Sequence, residues 1–203
     1  PVVPITLNED WNVISRTILP VIWQDDIAGR SGEQFGLGDT LQSLFFLPNI
    51  PLDTGIGNLT WGLGPAILIP TGTDELLGSE KLGLGPTGVA LIQKGPWTYG
   101  ALTNHIWSVA GKSSRDDISA TFIQPFLAYT TPTAWTFIVQ TESTYDWKAD
   151  QWSVPINASI SKLTTIGSQK VQFQLAGRYW ADSPSEGPDD FGVSVKITFL
   201  FPR

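Results

Sequence analysis

The sequence predicts an all-β fold: an antiparallel up-and-down transmembrane β-barrel, with about eleven strands in this chain and twelve in the intact protein, forming one domain over residues 1–203. Three observations predict it. Apolar residues recur at alternate positions and almost never at i, i+3, i+4, i+7, and 20 glycines and 15 prolines interrupt nearly every window long enough for a helix. Connections between the apolar segments alternate between short ones and acidic, hydrophilic ones. Tryptophans gather near the segment ends.

Composition narrows the function classes. Charged residues are 15% of the chain, against roughly 25% in ordinary soluble domains. The net charge of -7 comes with no basic patch, which excludes phosphate-backbone binding and leaves nucleic acid out. No run approaches the length of a transmembrane helix, but a barrel hides its apolar surface in alternate positions. Without cysteine there is no disulfide framework and no thiolate metal or redox centre. The chain begins with proline and contains no methionine, so it is expected to be processed or truncated, with any targeting segment already removed.

Taken in order, the expected strands are 1–7, 11–24, 35–47, 59–70, 82–93, 97–109, 118–130, 135–145, 152–163, 171–180 and 191–201. Asn8-Glu9-Asp10, Lys94-Gly95-Pro96, 131–134 and 164–170, with a longer member at 48–58, form one set of connections. The acidic set is 25–34, 71–81, 110–117, 146–151 and 181–190. A meander puts alternate turns at opposite ends, and short turns opposite long polar loops is the asymmetry of an outer-membrane barrel, short turns periplasmic and acidic loops extracellular. Bacterial barrels have even strand numbers with both termini in the periplasm. Eleven passes place Pro1 at the long-loop end, so one N-terminal strand is expected to be missing and to come from a partner segment or a preceding stretch.

Aromatic residues mark two belts. Trp11, Trp61, Trp97 and Trp135, with Tyr99 and Tyr129, fall near the short turns, while Trp23, Trp107, Trp147, Trp152 and Trp180, with Tyr145 and Tyr179, fall near the long loops. A soluble sandwich with core aromatics is the rival reading, and it gives no reason for tryptophans at strand ends.

The last four strands alternate most cleanly. Trp135, Phe137, Val139, Tyr145 and Trp147 oppose Thr136, Gln140, Glu142 and Thr144; Trp152, Val154, Ile156, Ala158 and Ile160 oppose Ser153, Asn157, Ser159 and Ser161. Val171, Phe173, Leu175 and Tyr179 oppose Gln172, Gln174 and Arg178, and Val193, Val195, Ile197 and Phe199 oppose Ser194, Lys196 and Thr198. The apolar set is expected to face lipid and the polar set the lumen; a one-residue slip would put Arg178 or Lys196 into hydrocarbon. Phe122, Gln124 and Phe126 share a face, which makes that part of the lumen partly apolar. Pro20, Pro65, Pro70, Pro86, Pro125 and Pro155 each remove a ladder donor and are expected at bulges or strand ends.

QFGLGDT (34–40), WGLGPAILIPTGTDELLGSEKLGLGPTGVAL (61–91), GPWTYGALTNHIWSVAG (95–111), QPFLAYTTPTAWTF (124–137), STYDWKADQWSVPIN (143–157), YWADSPSEGPDDFG (179–192) and ITFLFP (197–202) carry a family resemblance. Over essentially the whole chain, the sequence resembles a proteobacterial family of small outer-membrane β-barrels labelled meta-pathway of phenol degradation protein, or transporter, and sometimes mislabelled neuromedin U. The resemblance implies signal-targeted outer-membrane localisation in a Gram-negative bacterium and, loosely, transport. It implies no catalytic residues.

Lumen candidates are Arg16, Asp39, Gln124, Gln140, Glu142, Gln174, Arg178 and Lys196, either as a constriction that selects solutes or as a mutually neutralising network. His105 is the only histidine. A barrel phospholipase needs a His and a Ser converging on the lipid-facing wall with a polar residue to orient the ring, and Asn104 points to the opposite face, so a packed or hydrogen-bonded histidine is expected and no enzyme activity. The glycine-rich segments 35–39, 61–65 and 82–86 precede no helix, which removes the dinucleotide reading. Asp25-Asp26, Asp74-Glu75, Asp116-Asp117 and 186–190 could hold Ca²⁺ or ions bridging lipopolysaccharide, and are expected instead to be solvated loops with no metal or cofactor. Expected partners are outer-membrane lipid, lipopolysaccharide and a small solute, with small outward residues such as Thr141 and Ser143 leaving open a second copy or an envelope protein. The expected function is passive passage of small, apolar or aromatic solutes through a narrow lumen; the alternative is a structural or interaction barrel with an occluded interior.

Overall fold

A computed structural model describes residues 1–26, 30–185, 187–188 and 190–201. No helix occurs among them. The strands are β1 (Val2–Thr6), β2 (Trp11–Ile18), β3 (Val21–Asp25), β4 (Glu33–Leu37), β5 (Thr40–Pro48), β6 (Leu52–Asp53), β7 (Asn58–Ile69), β8 (Lys81–Lys94), β9 (Trp97–Gly111), β10 (Ser119–Thr130), β11 (Trp135–Thr141), β12 (Ser143–Asp146), β13 (Gln151–Ile166), β14 (Gln169–Asp182) and β15 (Phe191–Leu200). One 13-stranded antiparallel sheet runs β1-β2-β5-β7-β8-β9-β10-β11-β13-β14-β15, with β6 attached to β7 and β12 lying between β10 and β13. Spatial order follows chain order throughout, so the sheet is an up-and-down meander.

The meander curls back on itself. Its edge strands β1 and β15 pair with no further strand among the described residues, yet both line one cavity of about 860 Å³. A compact monomer of 22.1 kDa would expose roughly 9,300 Å²; this chain exposes 12579 Å². The excess is what a hollow sheet with two solvent-accessible faces gives. Val195 and Ile197, which a sandwich would bury, are 73% and 53% exposed.

Most expected strands agree with the observed ones to within a few residues, and the differences have visible reasons. The segment 35–47 breaks at Gly38-Asp39, where β4 ends in the ribbon with β3 and β5 begins in the main sheet. The segment 11–24 breaks at Leu19-Pro20: proline supplies no donor, and β3 leaves the main sheet to pair only with β4 as a separate two-stranded ribbon. The segment 135–145 breaks at Glu142, opposite Pro155, whose missing N–H coincides with a bulge between Val154 and Pro155. The connection at 164–170 shrinks to Gly167 and Ser168, because Gly167 adopts φ +62° and closes a tight turn. Polar residues such as Thr164, Thr165 and Lys170 hide the strand ends around it.

The prolines of β7 and β8 solve their donor problem jointly. Pro65 lies directly opposite Pro86. In such a non-hydrogen-bonded pair the absent N–H groups would have pointed away, toward β5 and β9. The ladders are interrupted at those places: β5–β7 pairing passes from Ser43↔Ala66 to Phe46↔Leu63, and β8–β9 pairing from Leu84↔Trp107 to Thr87↔Asn104. The neighbouring strands instead press their carbonyls onto glycine: a Cβ on Gly64 would stand 1.9 Å from the Leu44 oxygen, and one on Gly85 1.7 Å from the His105 oxygen. Pro125 sits within the continuous β9–β10 register opposite Ala101, and Pro70 just beyond β7.

Candidate lumen site

Register carries one inward face round the sheet. Arg16 pairs with Ser43, Ser43 with Ala66 and Ala66 with Gly85; on the other side Leu102 pairs with Gln124, Gln140 with Asn157, Asn157 with Arg178, and Gln174 with Lys196. Because side chains alternate along a strand, this fixes which residues share the interior.

That interior has two unlike walls. Over β10 to β14 it is a polar ladder. Gln124 Nε2 donates to Gln140 Oε1 (3.2 Å) and Gln140 Nε2 to Glu142 Oε1 (3.4 Å). Arg178 donates through Nη2 to Glu142 Oε2 (2.8 Å) and through Nε to Asn157 Oδ1 (2.6 Å). Gln174 and Gln172 extend the ladder to Ser159 and Ser161, each at 2.9 Å. Over β5 to β10 the same face carries Phe45, Ala66, Val89, Leu102, Ile106, Phe122 and Phe126, with Phe45, Ala66 and Ile106 buried. Part of the interior is therefore filled by side chains.

Of the eight lumen candidates, Gln124, Gln140, Glu142 and Arg178 form one connected network, and Arg16 shares the inward register on β2 opposite Ser43. Gln174 joins the same wall through Ser159. Lys196 faces the interior from β15 without a hydrogen bond among the described residues. Asp39 stands apart, at the rim. Its carboxylate accepts from Gly72 N (3.0 Å), Ser79 N (2.7 Å) and Ser79 Oγ (2.5 Å), which anchors the loop between β7 and β8. The polar alternation put Asn157, Ser159 and Ser161 on the lumen face but not among the lumen candidates; Asn157 completes the Arg178 site, and the serines receive Gln174 and Gln172.

The outward face is apolar between two rings of aromatics. Near the short turns Trp11 meets Trp61 at 6.3 Å, Trp97 meets Tyr129 at 4.9 Å, and Lys162 lies 5.1 Å from the Trp135 ring. Near the long loops Tyr145 meets Trp147 at 4.8 Å and Trp152 at 4.9 Å. Leu63, Leu127, Phe137, Val139, Phe173 and Leu175 are exposed between the rings. Trp23 belongs to the β3–β4 ribbon, where its Nε1 donates to Glu33 (2.6 Å). Trp180 shares the inward parity of Arg178, which lies 5.2 Å from its ring. Thr141 and Ser143, on the outward parity, bond to one another at 2.6 Å.

His105 is on the outward wall beside Trp107, with ring centroids 4.1 Å apart, and shares a 2.7 Å hydrogen bond between Nδ1 and Thr121 Oγ1. Its neighbour in that bond is a threonine to which Trp147 Nε1 also donates (2.8 Å). Among the described residues no cluster of three or more His, Asp or Glu could hold a metal. Two of the acidic loops, 71–81 and 110–117, are tied together by ion pairs: Lys112 with Glu75 (2.9 Å) and Glu80 (3.0 Å), Arg115 with Glu80 (3.4 Å), and Lys81 with Asp117 (3.0 Å). Lys112 holds the Glu75 carboxyl below the usual range, and Lys81 with Ser108 does the same for Asp117. Glu186 and Asp189, part of the expected 186–190 cluster, lie outside the described residues.

No family model, curated protein or solved structure matches the chain.

Proposed function

We propose that the protein is an outer-membrane barrel that passes small amphipathic solutes, apolar or aromatic in body, by passive diffusion through its lumen. The observation that carries this reading is the mixed interior: a phenylalanine-bearing stretch that adjoins, at Gln124, a ladder of hydrogen-bonding groups centred on Glu142 and Arg178. An aromatic ring with one polar substituent finds a partner in each. The membrane setting is supported by the exposed apolar side chains between two aromatic rings, Leu63, Leu127, Phe137, Val139, Phe173 and Leu175 among them, a surface that in water would be a liability. The quoted sequence stretches that resemble outer-membrane transporters point the same way.

A second reading, a structural barrel with a closed interior, is favoured by the complete burial of inward Ser43, Ala66 and Ser161. Conductance and solute flux in proteoliposomes separate the two. Phenol and benzyl alcohol are expected to equilibrate faster than glucose, and Glu142→Gln is expected to shift ion selectivity several-fold toward anions by unmasking Arg178. No flux and no conductance under any condition would remove the channel reading and leave the structural one.

A further inference from the structure

We infer that the gap between β1 and β15 is an acceptor for one more β-strand, antiparallel to both edges, with apolar residues outward and carboxylates toward the lumen. Direction comes first. The path from β1 to β15 has eleven antiparallel members, so its two edges run the same way. They cannot extend the antiparallel ladder to one another, whereas one strand between them extends it on both sides.

Exposure and volume agree. Every residue of β1 and nine of the ten in β15 are exposed, so both faces of each edge lack cover. The cavity between them, about 860 Å³, equals roughly 29 times the 30 Å³ that one water occupies in the liquid. It is far larger than a single-water pocket, and Pro1 to Pro4 on one edge and Thr198 to Phe201 on the other line it.

Chemistry then specifies the occupant. Arg16 and Lys170 line the gap, and no carboxylate does. Neither side chain has a hydrogen-bond acceptor among the described residues, and Lys196 extends the cationic row along β15. Outward, Val3, Val193, Val195 and Ile197 are exposed. The inserted strand therefore alternates apolar residues outward with acidic ones inward. The Pro1 carbonyl accepts from Thr17 N (2.9 Å), near the long-loop end of the β1–β2 ladder. A strand joined there by an outer loop runs in the required direction. This inference rests on sheet geometry and holds whether or not the lumen conducts.

The test uses the cysteine-free chain in detergent, alone and with a segment of about ten residues, the length of a membrane strand, joined ahead of Pro1 by a Gly/Ser loop. The segment alternates valine with threonine and glutamate; a second version has lysine for glutamate. Amide exchange at β1 and β15 is expected to be fast in the chain alone, to slow at least tenfold on both edges with the glutamate segment, and to slow less with the lysine one. Should a fusion misfold, the same segments added as free peptides give the same comparison. A Val3→Cys/Phe199→Cys pair reports direct pairing of the edges: a disulfide requires Cα atoms about 4.4–6.8 Å apart, while an intervening strand separates the edges by about 9.5 Å. Ready disulfide formation, edge protection in the chain alone, or equal protection by both segments overturns the inference.

Discussion

At the scale of single residues, polar groups are placed by alternation but matched by register. Glu142 and Arg178 were both legible as inward residues, because each keeps the parity of the polar positions on its strand, Gln140 before Glu142 and Gln174 before Arg178. That they meet at 2.8 Å was not legible, since it depends on the β12–β13 and β13–β14 hairpins bringing positions 36 apart in sequence together. Asp39 shows the other limit: parity gives its face but not its height, and it lies at the rim with three donors around one carboxylate. Hydrogen bonds to a charged group contribute about 1.5–3 kcal/mol each, with much given back to water at a rim. Asp39→Ala is accordingly expected to cost about 2 kcal/mol in urea unfolding and to raise protease sensitivity within residues 71–80, while Asp39→Asn keeps part of both.

At the scale of elements, close strand approach makes glycines such as Gly64 and Gly85 indispensable and leaves Gly177 free. Gly64→Val and Gly85→Val each drive a Cβ into a backbone carbonyl and are expected to lose at least about 3 kcal/mol or fail to fold; Gly177→Ala, with nothing within 4 Å of the added carbon, is expected to be neutral by thermal denaturation. The prolines warned of ladder gaps, but only the pairing of Pro65 with Pro86 shows why two gaps flank one strand pair. The ribbon β3–β4 was hidden because Leu19-Pro20 looks like a defect inside one long strand. Between the outer loops, Glu75 and Asp117 have carboxyls held below their ordinary values and Lys112 an ammonium held above its own. Depressed carboxyls contribute stability that is complete above their unfolded value and lost as pH falls through the folded one; a raised lysine contributes below its unfolded value and loses that as pH rises. The loop contacts should therefore persist from about pH 5 to about pH 10 and release at either extreme, as seen by amide exchange in residues 71–80 and 112–118.

At the scale of the whole molecule, the number of meander strands and the alternation of short and long connections were readable because each strand runs the sheet once and each turn type recurs at its own end. The approach of the two sheet edges was not readable, since curl accumulates over the whole path and no local pattern encodes it. Adjacent positions on β15 test the setting of the outer face. In a bilayer Val195→Arg is expected to cost roughly 2–4 kcal/mol near the midplane, and Ser194→Arg, facing inward, close to nothing; equal costs in vesicle refolding would place both faces in water. The paired loops add one more consequence. Glu75, Glu80, Lys81, Lys112, Arg115 and Asp117 form a charged cap on one end only. Dragging six such groups through hydrocarbon at about 2.5–3.5 kcal/mol each would cost roughly 15–21 kcal/mol. A molecule inserted with that cap outermost keeps its heading for life, and vesicles reconstituted from one side should digest with protease from that side alone.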